Sequence, residues 1–421
     1  MTTNSGFVTR KELALRHLFD KSNWNVYDKK VVNLSVGAPG PDLLHKCCEL
    51  FEEATSHRMD IELKTNSFLF QYGPAPGSYE VRMELASFLS NAYSDKVHSE
   101  DIVVTCGASH GMHIILSTLI DMAGFVFVDE VTYMIALDVF RQFSNMKIIP
   151  VSLTKNGVNI FELRKLLSQH QFKSNTKLFW GMYYAIPTYH NPTGILFSDE
   201  ICKELITLAK EFDILVACDD VYNLLYYKNS PPKRLYAFDS FTAEDYRGNV
   251  ISNGTFSKII APGIRLGWME CPPRCVEILK ASGILQSGGC TNNYVAGVVA
   301  SSLQLGLAQE HITYMSTKYK ERMLSVCAVL HSKLPLNCTF MEPAGGYFIW
   351  IELPKHLDAV EFNEFCVEKY KVYVIPGERF SVHGRFRNCF RISIAFHTKE
   401  VLVDAIEKLC KALEEFCCIS K

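Results

Sequence analysis

Residues 177–220 read KLFWGMYYAIPTYHNPTGILFSDEICKELITLAKEFDILVACDD. Two apolar runs rich in β-branched and aromatic residues, Lys177 to Ile186 and Ile214 to Cys218, enclose a segment from Ser198 to Phe212. In that segment Ile201, Leu205, Leu208 and Phe212 recur at helical spacing. Phe125 to Val128 before them and Asn249 to Ser252 after them are runs of the same kind. Strand-like runs alternating with helical patterns predict an α/β fold with a mostly parallel sheet and helices on both faces. Ligands of such sheets sit beyond the carboxyl ends of the strands. The polar clusters at Asn191, Asp219 and Thr255 to Lys258 fall at those ends, so the loops are the place to look for chemistry.

After about residue 290 the pattern changes. A long helical stretch runs through Leu334 until Pro335 ends it, followed by two strand-like runs, Tyr347 to Ile351 and Phe390 to Ala395, and an amphipathic helix from Lys399 to Phe416. This reads as a smaller α+β domain. Gly37-Ala38-Pro39-Gly40-Pro41 is a stiff, turn-rich segment suited to crossing from the small domain to the large one. The expected division is 1–50 as an N-terminal arm with part of the small domain, 51–290 as the large domain, and 291–421 as the rest of the small one.

The chain has 421 residues, 48% hydrophobic and 21% charged, with 43 Lys plus Arg against 45 Asp plus Glu. That suits substantial cores and leaves no excess positive field for a nucleic acid or an anionic bilayer. The longest apolar stretch, Met112 to Val128, is interrupted by His113 and Asp121 and falls short of the roughly 18–20 residues that span a membrane. The N-terminus lacks a secretory layout, and Arg10, Lys11 and Arg16 give only a weak mitochondrial leader, so a cytoplasmic protein is expected. Cys417, Cys418, Ile419 and Ser420 look like a prenylation box, but Lys421 follows. The 15 cysteines are scattered and are expected reduced and mostly buried, without zinc-like spacing, so no metal is expected.

The densest chemical signal is Ser252-Asn253-Gly254-Thr255-Phe256-Ser257-Lys258, with Ala261-Pro262-Gly263-Ile264-Arg265-Leu266-Gly267-Trp268 after it. A lysine following a strand, among hydroxyls and ahead of an arginine, suits an amine that forms a Schiff base beside a bound phosphate. Nearby cations and partial burial lower such a pKa and leave free amine near neutrality. A surface lysine after a helix cap has the same letters. Asp219-Asp220-Val221-Tyr222 puts a carboxylate at the end of a buried run, where a protonated pyridine nitrogen is a suitable partner; a helix-capping turn reads alike. His190-Asn191-Pro192-Thr193-Gly194 is a turn whose Asn can donate to a phenolate oxygen, with Tyr222 as a second donor.

Thr105-Cys106-Gly107-Ala108-Ser109-His110-Gly111 leads into an apolar helix from Met112 to Ile120. Small residues at such a start offer backbone N–H groups and the positive dipole end to an anion. Tyr133 suits stacking on an aromatic ring or plain packing. Arg391, with apolar residues alternating around it, needs a carboxylate, either a substrate's or a salt-bridge partner's.

In order and spacing these motifs resemble those of the pyridoxal-phosphate-dependent aminotransferases of fold type I, class I and II. Within that group the chain is most similar to the branch of 2-aminoadipate/kynurenine and aromatic aminotransferases, over about Val31 to Arg391. The resemblance implies that Lys258 holds pyridoxal phosphate and shuttles the proton at the substrate Cα, while Asp219 pairs with the ring nitrogen. It further implies that Asn191 and Tyr222 bond the ring hydroxyl, that Tyr133 stacks on the ring, and that Ala108 N–H, Ser109, Thr255, Ser257 and Arg265 hold the phosphate. Arg391 with Gly37 and Asn191 would receive the substrate carboxylate. Tyr72, in Gln71-Tyr72-Gly73, matches a tyrosine that family members extend to the neighbouring subunit's phosphate, which implies a homodimer with shared sites.

Val131 stands where proline is usual before Thr132-Tyr133, and Ala108 lacks a hydroxyl often present there; neither removes a reaction step. The implied activity is ping-pong amino transfer between an aromatic, large apolar or 2-aminoadipate-like amino acid and a 2-oxo acid. No obvious second arginine for a short dicarboxylate occurs in Gly283 to Asn293. A carbon–sulfur β-lyase on the same scaffold is the runner-up, and a non-catalytic ligand-sensing protein a third reading. Intact Lys258, Asp219 and Arg391 argue against the third, as does the lack of a DNA-binding segment ahead of the domain.

Overall fold

The computed structural model describes residues 30–228, 230–289 and 292–419. Its centre is a seven-stranded sheet of β1 (Ile102–Thr105), β2 (Ile120–Asp129), β3 (Lys147–Val151), β4 (Phe179–Ala185), β5 (Leu215–Asp219), β6 (Val250–Thr255) and β7 (Gly267–Glu270). The spatial order is β1-β7-β6-β5-β4-β2-β3; β7 runs antiparallel to both neighbours and every other pairing is parallel. The α/β architecture is the expected one.

A period of two divides the central strands between two apolar clusters. Met182, Tyr184, Leu215, Ala217 and Ile251 belong to one, with Ile114, Ile115 and Leu119. Tyr183, Ala185, Val216, Cys218 and Val250 belong to the other, with Leu205, Leu208 and Phe212. Burial of each large side chain stabilises by roughly 1.5–3 kcal/mol, and because both faces are covered the runs carry no polar alternation.

Around the sheets lie, among others, α1 (Cys47–Lys64), α2 (Tyr79–Tyr93), α3 (Ala108–Leu119), α4 (Met134–Arg141), α5 (Asp199–Phe212), α6 (Asn293–Gln304), α7 (Leu307–Lys333) and α8 (Lys399–Ile419). Ser198 Oγ caps α5 by accepting from the Ile201 N–H at 3.3 Å, with Asp199 and Glu200 in the first turn. The single helical stretch expected up to Leu334 is instead two helices. Gly306, at φ +76°, stops α6 and starts α7, a left-handed conformation that glycine takes without strain. α6 packs against α1 and α2: a Cβ on Gly297 would come within 2.3 Å of Leu69 and 3.2 Å of Arg58. α7 packs against α8, with ion pairs Lys333–Glu407 at 2.7 Å and Lys399–Glu321 at 2.9 Å.

The second sheet is antiparallel, in the order β8-β9-β11-β10, from β8 (Thr339–Phe340), β9 (Phe348–Glu352), β10 (Ile375–Pro376) and β11 (Cys389–Ser393). Arg391 sits on β11, opposite Trp350 and Ile375. The chain entering the Gly37–Pro41 segment touches both sheets. Val32–Asn33 pairs parallel with Val372–Tyr373, the Ser393 N–H donates to Leu34 O at 2.7 Å, and the segment continues to Lys258. On the opposite side Gly345 lies flat on Tyr189, where a Cβ would sit 2.3 Å from the ring. The small sheet is thereby pressed onto the turn that carries Asn191.

The described cysteines are free and most are buried. Among the described residues no group of three potential ligands could hold a metal ion, and no helix is long and apolar enough to cross a membrane. Arg10, Lys11, Arg16, most of the expected N-terminal arm, Ser420 and Lys421 lie outside the described residues.

Candidate active site

The carboxyl ends of β4, β5 and β6, the start of α3 and the turn before α4 converge on a cavity of about 220 Å³. Ala108, Ser109, Tyr133, Asn191, Asp219, Tyr222, Thr255, Ser257, Lys258 and Arg265, all expected from the sequence, line its wall. Gly37 and Arg391 join through hydrogen bonds to Lys258 and Asn191. Tyr72 stands apart from them, 85% exposed.

One corner is built for an anion. α3 begins without a side-chain cap, leaving its first turn to a ligand. Gly107, at φ +94°, brings the backbone close to Arg265, whose Nη2 a Cβ would meet at 3.1 Å. Thr255 Oγ1 donates to Ser257 Oγ at 3.0 Å, and Arg265 Nη1 reaches the same oxygen at 3.3 Å. Arg265 holds a left-handed backbone, φ +50°, while its guanidinium donates to Pro262 O at 2.9 Å. Asn253 Nδ2 fixes the start of α3 by donating to Ala108 O at 2.8 Å, which is possible because Gly111 has no Cβ to strike Asn253 Oδ1.

Facing that corner, Asp219 ends β5. Burial pushes its carboxyl up to about 6, opposed by the hydrogen bond from Tyr184, while Asp220 raises it further and Lys258 lowers it. Tyr184 Oη donates to Asp219 Oδ2 at 2.7 Å, and Oδ1 is buried without a partner. Lys258 Nζ donates to Gly37 O at 2.6 Å. Burial and then Arg391 bring its amine down to about 8, against the pull of Asp219. Tyr347 Oη donates to Lys258 O at 2.7 Å and lies 3.2 Å from Tyr319 Oη, anchoring the lysine's backbone to the small sheet.

Arg391 is 2% exposed and stacked between Phe348 and Phe380, 3.9 and 4.9 Å from the ring centres. Its Nη1 donates to Asn191 Oδ1 at 2.8 Å and its Nη2 to Ser35 O at 2.6 Å, while Nε has no partner. Burial lowers its pKa to about 10, and no carboxylate among the described residues pairs with it. The salt-bridge reading of Arg391 is therefore set aside: among the described residues its guanidinium is a buried cation bonded to neutral oxygens. His190, next to Asn191 in the turn, has its Nδ1 2.8 Å from Thr193 Oγ1 and its Nε2 3.3 Å from Asp129 Oδ2.

An unpartnered carboxylate oxygen for a protonated ring nitrogen, a depressed amine for an aldehyde and a cationic, hydroxyl-lined corner for a phosphate together fit pyridoxal phosphate. The family model for aminotransferase class I and II matches residues 29–409. The chain belongs to the class I and II aminotransferases. The aminotransferase is 29% identical over 388 residues to an aromatic-amino-acid aminotransferase of Thermococcus litoralis, covering 91% of this chain and 88% of that one. It superposes with a TM-score of 0.81 on the multiple substrate aminotransferase of Thermococcus profundus, at 25% identity, covering 100% of this chain and 96% of that one. The Pyrococcus horikoshii kynurenine aminotransferase, crystallised with pyridoxamine phosphate (PMP), gives the same score at 27% identity, with 99% and 95% covered. The reaction of the present chain is amino-group transfer and its cofactor is pyridoxal phosphate.

Sequence reasoning missed Tyr184, Asn253, Tyr347 and Ser35. Asn253 lies inside the quoted motif, and Tyr347 directly follows Gly345-Gly346. Ser35 acts through its backbone and Tyr184 lies in an all-apolar run, so neither carried a residue-type signal.

Proposed function

We propose that this aminotransferase takes aromatic and large apolar amino acids as donors. The carrying observation is the inventory of charge. Among the described residues the cations on the cavity wall are Lys258 and Arg265, with Arg391 beside it, and each has a task. None is left for a second substrate carboxylate, and Ile186, Val221 and Pro262 add apolar lining. The names of the relatives above support the same class.

In this reading Ala108 N–H, Ser109, Thr255, Ser257 and Arg265 hold the phosphate, Tyr133 lies on the ring, and Asn191 and Tyr222 bond its hydroxyl. Asp219 pairs with the ring nitrogen. Bound pyridoxal phosphate supplies an electron-accepting ring that makes a substrate Cα proton removable. Arg391, with Asn191 and the Gly37 segment, receives the carboxylate and so orients the Cα–H bond. Lys258 Nζ takes that proton and returns one, a task for which a pKa of about 8 suits a neutral medium. Donor and acceptor use one site in turn, giving ping-pong kinetics. The test is a panel of aromatic, branched, 2-aminoadipate, aspartate and β-substituted donors with several 2-oxo acids. We expect kcat/KM for phenylalanine to exceed that for aspartate about 100-fold. Equal use of aspartate sinks this reading, and pyruvate plus ammonia from a β-substituted donor without any acceptor moves it to a lyase.

The exposed aromatics Phe68, Phe70, Tyr72 and Tyr294, with Phe70 and Tyr294 stacked at 6.3 Å, form an apolar patch that supports a homodimer in which Tyr72 reaches the neighbouring phosphate. Light scattering should give twice 47.7 kDa; a monomer at micromolar concentration refutes the shared site.

A further inference from the structure

Tyr184 is 1% exposed, on the β4 face that looks toward α3 and α4, and its ring meets Phe140 edge-on at 5.2 Å. Among the described residues its hydroxyl has one hydrogen-bond partner, Asp219 Oδ2. From α3 and α4 the cavity wall takes Met112, Ala136 and Val139, whose side chains cannot bond a carboxylate, together with Ala108 and Ser109 of the first turn of α3 in the anion corner. We infer that Tyr184 is a positioning residue for Asp219: its phenol ties down Oδ2, stabilises the charged carboxylate and leaves Oδ1 for the cofactor's ring nitrogen. This rests on the reading of the cavity as the pyridoxal phosphate site and goes beyond it to a residue the cofactor does not touch.

The groups around Asp219 are few. Cys218, Asp220 and Tyr222 lie on its own segment, Tyr184 on β4, Tyr133 before α4 and Lys258 after β6. Asp220 is turned to Ser252 at 2.5 Å and feels Arg234. Of these groups, Tyr184 and Lys258 favour the ionised carboxylate, and Lys258 is committed to the aldehyde once cofactor is bound. Tyr184 remains a donor throughout, because burial and the nearby carboxylate push its own pKa well above 10.

The sign follows from the carboxyl near 6. Losing the phenol's hydrogen bond raises the Asp219 pKa by about one unit, so protonation competes with cofactor at higher pH. The experiment measures the dissociation constant of pyridoxal phosphate from apoprotein between pH 5.5 and 8.5 for the parent and Tyr184→Phe, which keeps the ring on Phe140. The expected result is about fivefold weaker binding of the variant at pH 6, converging on the parent by pH 8. In an Asp219→Asn background the Phe substitution should make no further difference at any pH. In the unmutated apoprotein, the infrared carboxyl change that Asp219→Asn abolishes should titrate near 6. A pH-independent ratio, no change, or an undiminished effect in the Asn background overturns the role of Tyr184. Should the parent bind no pyridoxal phosphate at all, the reading of the site fails instead.

Discussion

Lys258→Ala should lower transamination by at least about 10⁴-fold while the protein still retains pyridoxal phosphate non-covalently. In the proposed reading the lysine has two tasks at one atom, anchoring the aldehyde and moving the Cα proton, and no other amine lies on the described cavity wall. Its amine, brought down to about 8, suits proton exchange near neutrality, whereas on the same proposal Asp219 and the Thr255–Arg265 corner would hold the ring and phosphate without it. Lys258→Arg should fail as badly, because a guanidinium keeps the charge but has no free form. Half-reaction kinetics and borohydride treatment read both effects: the parent acquires a reduced adduct on the Lys258 peptide, the variants do not. An alanine variant within tenfold of the parent would falsify the assignment.

How the sequence announced this site, and where it fell silent, follows from what each residue does. β4 and β5 were legible because burial on both faces demands continuous apolar runs, and Asn191 and Asp219 stood out as polar residues at their carboxyl ends, as Lys258 did after β6. β3 was not, since Lys147 and Pro150 suit an edge strand and dilute its apolar signal. β7 has four residues opening on a glycine, and nothing local tells that it runs against its neighbours. The break between α6 and α7 rests on one glycine among good helix formers. Tyr184 needed three dimensions: its phase along β4 puts it on the same face as Met182, and only the fold brings it to Asp219.

Local chemistry also explains why the two sheets must be held together. Lys258, after β6 of the large sheet, donates from Nζ to Gly37 O and accepts at its backbone carbonyl from Tyr347, and Arg391 on the small sheet spans Ser35 and Asn191, so each residue is tied to the other side of the junction between the sheets. In the proposed roles, an amine and a carboxylate receptor set by separate sheets keep their spacing only if the junction is rigid. Gly345 on Tyr189 supplies part of that rigidity.

Arg391→Met should lower kcat/KM for amino acids about 10³-fold, chiefly through KM, while leaving the melting temperature of the apoprotein nearly unchanged. Two charge-assisted hydrogen bonds to a carboxylate are worth together about 4 kcal/mol, or three decades. The ground state uses them as fully as the transition state does, hence the weight on KM. Stability behaves differently. Among the described residues the guanidinium is buried without a carboxylate and bonds two neutral oxygens, so its desolvation offsets what those bonds contribute. Methionine fills the space between Phe348 and Phe380 without that charge. Arg391→Lys should not restore KM, because a point charge lacks the two-pronged fork. A carboxylate-free amine such as phenethylamine separates recognition from damage: its slow reaction should proceed equally in parent and Met variant. If the Met variant loses activity toward that amine as steeply as toward phenylalanine, or keeps the parent's KM for phenylalanine, Arg391 is not the carboxylate receptor.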